Sequence, residues 1–463
     1  MEMAETIKMQ EVSEKSRENL MTEGNILKKI FLFSVPLILG NILQQMYNTV
    51  DSVIVGNYVG SNALAAVGSS APIISLLIAF SMGASAGAGV VVAQFLGAEN
   101  KKGVHLSVHT ALAISIILGL VLSVIGIFFS SQILILMGTP EEVMAESVSY
   151  LKIYSAGIIF NVIYNMAAGV LNAVGDSKRP LIYLGAASIL NIILDVLFIN
   201  IMKMGIAGAA LATDISQIVS CILIIYFLMK VPESYQIKLN KIKINKKMAE
   251  KIVKVGLPTG IQNTVISFSN VLVQSAVNGF GTKVMAGFGT YMKIDGFNVL
   301  PVLSFSMAAT TFTAQNYGAG NLERVKKGMR ITLLLGIIYA VLTGIILLSF
   351  SEFFIRFFTR DVEVINYGVQ VMKYFCPFYF LLSILQVLAG TIRGLGKTVP
   401  PMIILLISLC LFRILWVQTV VSFMGTTESI YMLYPISWFL GTVLMALYIL
   451  KNIKTLYLSS SLK

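Results

Sequence analysis

Asp51, Asp195, Asp214, Lys293, Asp295 and Arg413 stand inside long apolar runs of this 463-residue chain. A charged side chain at the centre of a bilayer costs roughly 2.5–3.5 kcal/mol on insertion scales, so each is a functional candidate by default. Gln44, Tyr47, Asn48 and Asp51 follow at i, i+3, i+4 and i+7 and fall on one stripe of a helix. Leu43, Val50, Val53 and Ile54 leave the remaining face apolar. Asn191 and Asp195 are i and i+4 and share a face of another helix, and Thr213 lies in the run after that. Two carboxylates with amide and hydroxyl oxygens form a set of hard donors that suits a proton or a hard cation such as Na⁺. Brought close, two carboxylates resist joint ionisation and share one proton. The bland alternative is a hydrogen-bonded seam between helices. Asp214 points about 100° away from Thr213 on a helix. Its spacing leaves open a second ligand or a pair with a neighbour.

Lys293 and Asp295 are i and i+2 and do not face each other. An Asp295–Arg413 pair across helices is one reading, and a lining of a substrate cavity is the other. Asn263, Ser267, Asn270 and Gln274 form a neutral polar stripe on a further helix. With Gln44, Tyr47 and Asn48, the residues Asn263, Asn270, Gln274, Lys293, Asp295 and Arg413 are the substrate-cavity candidates. Tyr47, Phe305 and Met307 would add a permissive apolar wall. Two motifs are decoys. Thr391 to Thr398 (TIRGLGKT) nearly fits a nucleotide-binding loop but lacks the leading glycine and lies between two apolar runs, so no nucleotide is expected. His105 and His109 are i, i+4, and two histidines alone make no zinc site; solvated helix-end residues are expected.

Long apolar helices must position these groups. Hydrophobic residues make up 56% of the chain and charged ones 12%, against about 25% charged in a soluble domain. That excludes a soluble enzyme, a disordered chain and a disulfide scaffold. Roughly 20 apolar residues cross a hydrocarbon core as helix. About twelve spans result, near 29–55, 70–96, 106–129, 148–172, 178–200, 205–229, 252–279, 289–316, 329–350, 366–391, 399–423 and 429–450. Alternate loops and both tails hold about 26 of the 34 basic residues, which predicts cytoplasmic termini in a multi-pass inner cell membrane protein. The net charge of +12 therefore points to membrane orientation and not to nucleic acid. Cys221, Cys376 and Cys410 all lie in apolar runs and read as small buried hydrophobes. Residues 1–27 are polar, with no cleavable signal pattern.

A long internal repeat organises the spans. Gly60, Ala65, Gly68, Ala93, Gln94, Gly97, Asn100, Gly169, Gly175 and Pro180 recur as Gly281, Ala286, Gly289, Ala314, Gln315, Gly318, Asn321, Gly390, Gly396 and Pro401. Every pair is 221 residues apart, and so are Lys152 and Lys373. The unit is six helices, and an even number preserves orientation. The fold class predicted is all-α integral membrane, two parallel six-helix repeats related by a pseudo-two-fold axis along the membrane normal. The expected organisation is a tail over 1–27, a lobe over 28–229, a basic linker over 230–250, a second lobe over 251–451 and a tail over 452–463. Such halves suit alternating access around a central site.

Pro36 to Gly56 (PLILGNILQQMYNTVDSVIVG), Ala93 to Asn100 (AQFLGAEN), Asn191 to Asp195 (NIILD), Gly205 to Thr213 (GIAGAALAT) and Ala314 to Asn321 (AQNYGAGN) carry a resemblance. The chain resembles the multidrug and toxic compound extrusion (MATE) family of secondary transporters over nearly all of its length beyond residue 25. The resemblance implies a cation site at Asp51, Asn191, Asp195 and Thr213 and a substrate cavity lined by Gln44 and Tyr47. The second half departs from this pattern: Leu272 and Trp416 stand where Asp51 and Asp195 repeat, and the acidic ligands that some branches carry on helices 7 and 10 are not found. That departure is closest to the DinF-like branch.

The function expected is a secondary antiporter that exports cationic amphipathic organic compounds against inward H⁺ or Na⁺. It would use no cofactor beyond that ion, no nucleic acid and no nucleotide, and act as a monomer in the lipid bilayer. It would not be an enzyme. A flippase for lipid-linked saccharides is the alternative, though anionic head groups favour more cavity Arg and Lys than Lys293 and Arg413 supply. A polytopic membrane transferase is a third reading, and it would need clustered Asp pairs for Mg²⁺.

Overall fold

The structure, a computed structural model, describes residues 20–457. Of the tails expected over 1–27 and 452–463, residues 1–19 and 458–463 lie outside the described residues. Long helices account for most of what is described: α1 Ile26–Tyr58, α2 Ser61–Gly97, α3 Lys101–Leu136, α4 Glu141–Ala173, α5 Lys178–Ile201 and α6 Gly205–Lys230. A second set follows as α7 Lys246–Asn278, α8 Thr282–Gly318, α9 Leu322–Ser349, α10 Val362–Gly394, α11 Val399–Met424 and α12 Thr427–Tyr457. All but α7 are apolar enough to span a membrane by composition. Helix α7 falls short because Lys247, Lys251 and Lys254 occupy its first turns and its polar stripe follows. Most helices outrun the spans read from sequence: α2 begins at Ser61, nine residues early. Hydropathy marks only the part in hydrocarbon, whereas the backbone stays helical beyond it.

The repeat is visible in local structure. Asn100 caps α3 by accepting from Gly103 N at 2.8 Å, and its mate Asn321 caps α9 by accepting from Arg324 N at 3.1 Å. Ser85 Oγ donates to Asn165 O at 2.6 Å, and its mate Ser306 Oγ donates to Gln386 O at 2.7 Å. Gly175 and Gly396 both take a left-handed backbone, at φ 86° and 79°, which explains why glycine recurs there. Widened π-helical turns follow Asp195 in α5 (Val196–Ile201) and Trp416 in α11 (Val417–Val421), at matching places in the two halves. Such turns cluster at functional sites.

The chain divides into two compact units. One comprises Val35–Gly260, and the other comprises Met21–Ser34 with the chain from Ile261 on. The divisions fall inside α1 and α7. In the first unit, α2 and α7 cross almost backbone to backbone. A methyl at Gly83 would lie 2.5 Å from Gly260 Cα. Small residues give such packing its contact area where lipid supplies no hydrophobic drive. The segment 231–245 is docked in this unit: Val231, Tyr235 and Ile237 are buried, Lys238 N donates to His109 Nε2 at 3.0 Å, and Asn245 N donates to Thr110 Oγ1 at 3.2 Å. The second unit has an aromatic core of Phe288, Tyr291, Phe375, Tyr379, Tyr434 and Trp438.

Candidate functional site

Helix α1 carries Asp51 on its polar stripe, buried to 9% exposure, and α5 carries Asp195, fully buried. Their carboxyls lie within hydrogen-bonding reach of each other. Two carboxylates are both acceptors, so that contact is a hydrogen bond only when one of them holds a proton. As carboxylates, Asp51 Oδ1 and both Asp195 oxygens are buried without a donor. Asn191, one turn before Asp195, has both side-chain polar atoms buried and unpartnered. Thr213 is buried on α6, its hydroxyl donating to Ala209 O at 3.1 Å and leaving its lone pairs free. Gln44 hydrogen-bonds Tyr47, and Tyr47 lies within electrostatic reach of both carboxyls. Asn48 is exposed.

The unpartnered oxygens test whether a cation fits. A proton between Asp51 and Asp195 would satisfy one oxygen of each, and Na⁺ would draw on the carboxylate, amide and hydroxyl oxygens together. Among the described residues no three His, Cys, Asp or Glu cluster to hold a metal ion. Tyr150 of α4 lies in electrostatic reach of both carboxyls and Tyr154 in reach of Asp51 and Asp214, and neither stood out in the sequence. A tyrosine within an apolar helix carries no charge to mark it. Only their i, i+4 spacing hints at a shared face.

The second unit holds its own buried polar groups. Asp295 Oδ1 accepts from the Tyr291 hydroxyl at 3.2 Å and from the Tyr379 hydroxyl; the two hydroxyl oxygens lie side by side, but with one hydrogen each they do not bond each other while both donate to the carboxylate. Arg413 donates to Asn270 Oδ1 at 3.0 Å and to Ser437 Oγ at 3.1 Å, and it stacks 4.3 Å over the Tyr434 ring. Asp295 and Arg413 are in electrostatic reach but are satisfied separately; among the described residues they form no ion pair. Gln274 donates to Asn278 Oδ1 at 3.0 Å, and the Asn263 carbonyl accepts from Ser267. Lys293 is exposed, 5.8 Å from the Phe358 ring. Tyr291 was within reach of a sequence reading, at i, i+4 from Asp295. Tyr379, 84 residues on, was not.

The histidine expectation is corrected. His109 is 2% exposed, with Nδ1 2.8 Å from His105 O and Nε2 taken by Lys238 N. The docked linker, folded back from far along the chain, removes it from solvent. The stretch Thr391 to Thr398 is the end of α10 and a turn, with no strand before it.

Solved structures share this fold. A MOP superfamily transporter from Pyrococcus furiosus matches with a TM-score of 0.89 at 23% identity, over 95% of this chain and 98% of that one. An outward-facing multidrug resistance MATE family transporter matches with a TM-score of 0.88, over 94% and 98%. That shared fold and the eleven helices among the described residues that are long and apolar enough to cross a bilayer define a multi-pass membrane protein. The MatE family model matches residues 36–197 and again 258–419, one copy per repeat. A probable multidrug resistance protein, YpnP of Bacillus subtilis, is 31% identical over 394 residues, 85% of this chain and 88% of that protein. A probable multidrug resistance protein, NorM of Thermotoga maritima, is 29% identical over 84% of each chain. The chain belongs to the MATE family.

Proposed function

We propose that the chain is a cation-coupled antiporter that exports organic compounds, cationic and amphipathic ones above all, against inward H⁺ or Na⁺. The observation that carries this reading is the facing pair Asp51 and Asp195, buried with oxygens that lack donors. A cation is what such a pair lacks. Its binding neutralises the site, and coupling needs only that cation and substrate prefer different states of the protein. The membrane potential adds about 2.3 kcal/mol per charge per 100 mV to inward cation movement. The names of YpnP, NorM and the export protein MepA of Staphylococcus aureus support small organic cargo. The engagement of Arg413 by Asn270, Ser437 and Tyr434 weighs against an anionic lipid-linked cargo. We place both termini in the cytoplasm on the distribution of Lys and Arg, and take the monomer as the working unit.

Asp51→Asn tests the reading, because it keeps size and most hydrogen bonds while removing the titrating charge. Everted vesicles with imposed pH or Na⁺ gradients should take up a fluorescent organic cation with the parent protein. With the variant, membrane insertion should be normal and gradient-driven uptake should fall at least roughly tenfold. Uptake at the parental rate by a well-expressed variant would sink the assignment. Whichever gradient drives uptake identifies the ion.

A further inference from the structure

His109 is buried in α3, away from the carboxyl pair, and both of its ring nitrogens are committed. Nδ1 lies 2.8 Å from the carbonyl oxygen of His105, which can only accept, so Nδ1 carries the hydrogen. Nε2 lies 3.0 Å from the backbone N–H of Lys238, which can only donate, so Nε2 presents its lone pair. The neutral imidazole has one donor and one acceptor and meets both demands. The imidazolium has two donors and must drop Lys238. The partners therefore fix the charge as well as the tautomer.

What Nε2 holds is the segment that joins the two units. Residues 231–245 lead from α6 into α7, and α7 carries the chain into the second unit. The start of the segment is anchored by burial of Val231, Tyr235 and Ile237, and Ile237 N donates to Leu228 O at 2.9 Å. Beyond Ile237 the hold is thinner. Lys238, Leu239, Asn240, Lys241 and Lys243 are exposed. Among the described residues, this stretch bonds α3 through Lys238 N on His109 and through Asn245 N on Thr110 Oγ1. The His105 ring packs on that of His109 with centroids 4.0 Å apart, and Lys238 and Lys241 lie in electrostatic reach of His105. From α7 the nearest polar contact is neutral, Met248 Sδ accepting from Ser107 at 3.3 Å. Among the described residues no Asp or Glu pairs with either histidine. A proton on His109 would cost the bond to Lys238 and add repulsion from the lysines.

The second unit holds its own leading segment by other means. Met21 N donates to Gln315 Oε1 at 2.7 Å, and Met21 O accepts from Asn316 Nδ2 at 3.2 Å and from Arg324 Nε at 3.1 Å. Glu23 O accepts from Arg324 at 2.8 Å. Ile242, 221 residues after Met21, is its repeat mate in the segment that His109 holds. None of the groups that grip Met21 changes charge between about pH 5 and 8, whereas histidine does.

We propose that His109 is an acid-released clasp: as neutral imidazole it pins residues 238–245 of the joining segment to α3, and on protonation it lets them go. The docked form binds one proton fewer, so docking weakens as pH falls through the titration of His109. Release returns that stretch to the tether between the units. Its consequence for transport rests on the antiport reading above, whereas the clasp itself does not.

Hydrogen exchange read by mass spectrometry, on the full chain in nanodiscs at about pH 7.5 and about pH 5.5, tests this once rates are corrected for the intrinsic effect of pH. In the parent, amides of 238–245 should exchange faster in acid, by up to about tenfold for each unit below the titration, because release takes up one proton. Met21–Glu23 should show no such change. His109→Gln keeps an acceptor without a titrating group and should stay slow at both values. His109→Ala lacks the acceptor and should be fast at both. His105→Asn should behave as the parent, because His105 engages His109 through its backbone carbonyl. An acid response that is missing from the parent, matched at Met21–Glu23, retained in either His109 variant or lost in His105→Asn would overturn the clasp. Undiminished uptake by Asp51→Asn would overturn the antiport reading and leave this exchange pattern as it was.

Discussion

Asp295 has two hydroxyl donors, and losing one should be measurable. Tyr379→Phe preserves the ring in the aromatic core and leaves Asp295 with Tyr291 alone. A typical intramolecular hydrogen bond contributes about 0.5–1.5 kcal/mol net. The purified variant should therefore melt below the parent, and a melting point equal to the parent's would show that the bond contributes nothing. Residues like Asp51, Asp195 and Asp295 were legible because charge inside an apolar run is conspicuous. The tyrosines were not, because Tyr150 and Tyr154 look like ordinary large apolar residues until the fold sets them beside the carboxyls. Asp214 lay between: its spacing left open a second ligand or a pair with a neighbour, and its seat depends on the missing side chain of Gly157, a helix away.

At the scale of elements, capping and breaks follow chemistry that the sequence displays, and crossings do not. Asn100 and Asn321 announce the starts of α3 and α9. The near contact of Gly83 and Gly260 depends on how α2 and α7 approach, and no local pattern encodes that approach. Helix α10 offers a test of a cap. Asp361 precedes it, accepts from Glu363 N at 3.0 Å and Val364 N at 3.3 Å, and pairs with Lys283. The Lys283 ammonium, followed by these backbone donors, holds the Asp361 carboxyl below the usual carboxylate range. A depressed folded-state value means that the ionised form stabilises the fold above that range. The contribution is lost as pH falls through the folded value. Asp361→Asn retains an acceptor for the cap but removes the charge, and Asp361→Ala removes both. Melting points at neutral pH should rank parent, Asn, Ala. The gap between parent and Asn should close in acid and shrink with salt, since the pair is exposed. A gap independent of pH would show that the charge plays no part.

Taken whole, the molecule repeats its architecture but not its chemistry. The two matched stretches, the paired caps and the π-helical turns after Asp195 and Trp416 show one unit used twice. Within that frame the first unit buries an Asp pair, and the second buries Asp295 under two tyrosine hydroxyls and Arg413 against Asn270. Asp295 already has its donors, so it lacks the vacancy that marks Asp51 and Asp195. Coupling should therefore be asymmetric. Asn270→Ala removes one of the two acceptors of Arg413 and leaves Nη1 without that bond, so substrate affinity or range should change by several-fold while gradient-driven turnover persists. Gln274→Ala should behave likewise and more weakly, since its bond to Asn278 is local. Asp195→Asn should do the reverse: equilibrium binding of an organic cation near the parental value, and efflux that no longer responds to the gradient. The two measurements belong on the same three variants, because each serves as the control for the others. Loss of coupling in Asn270→Ala, with Asp195→Asn still driven by the gradient, would move the cation site out of the first unit.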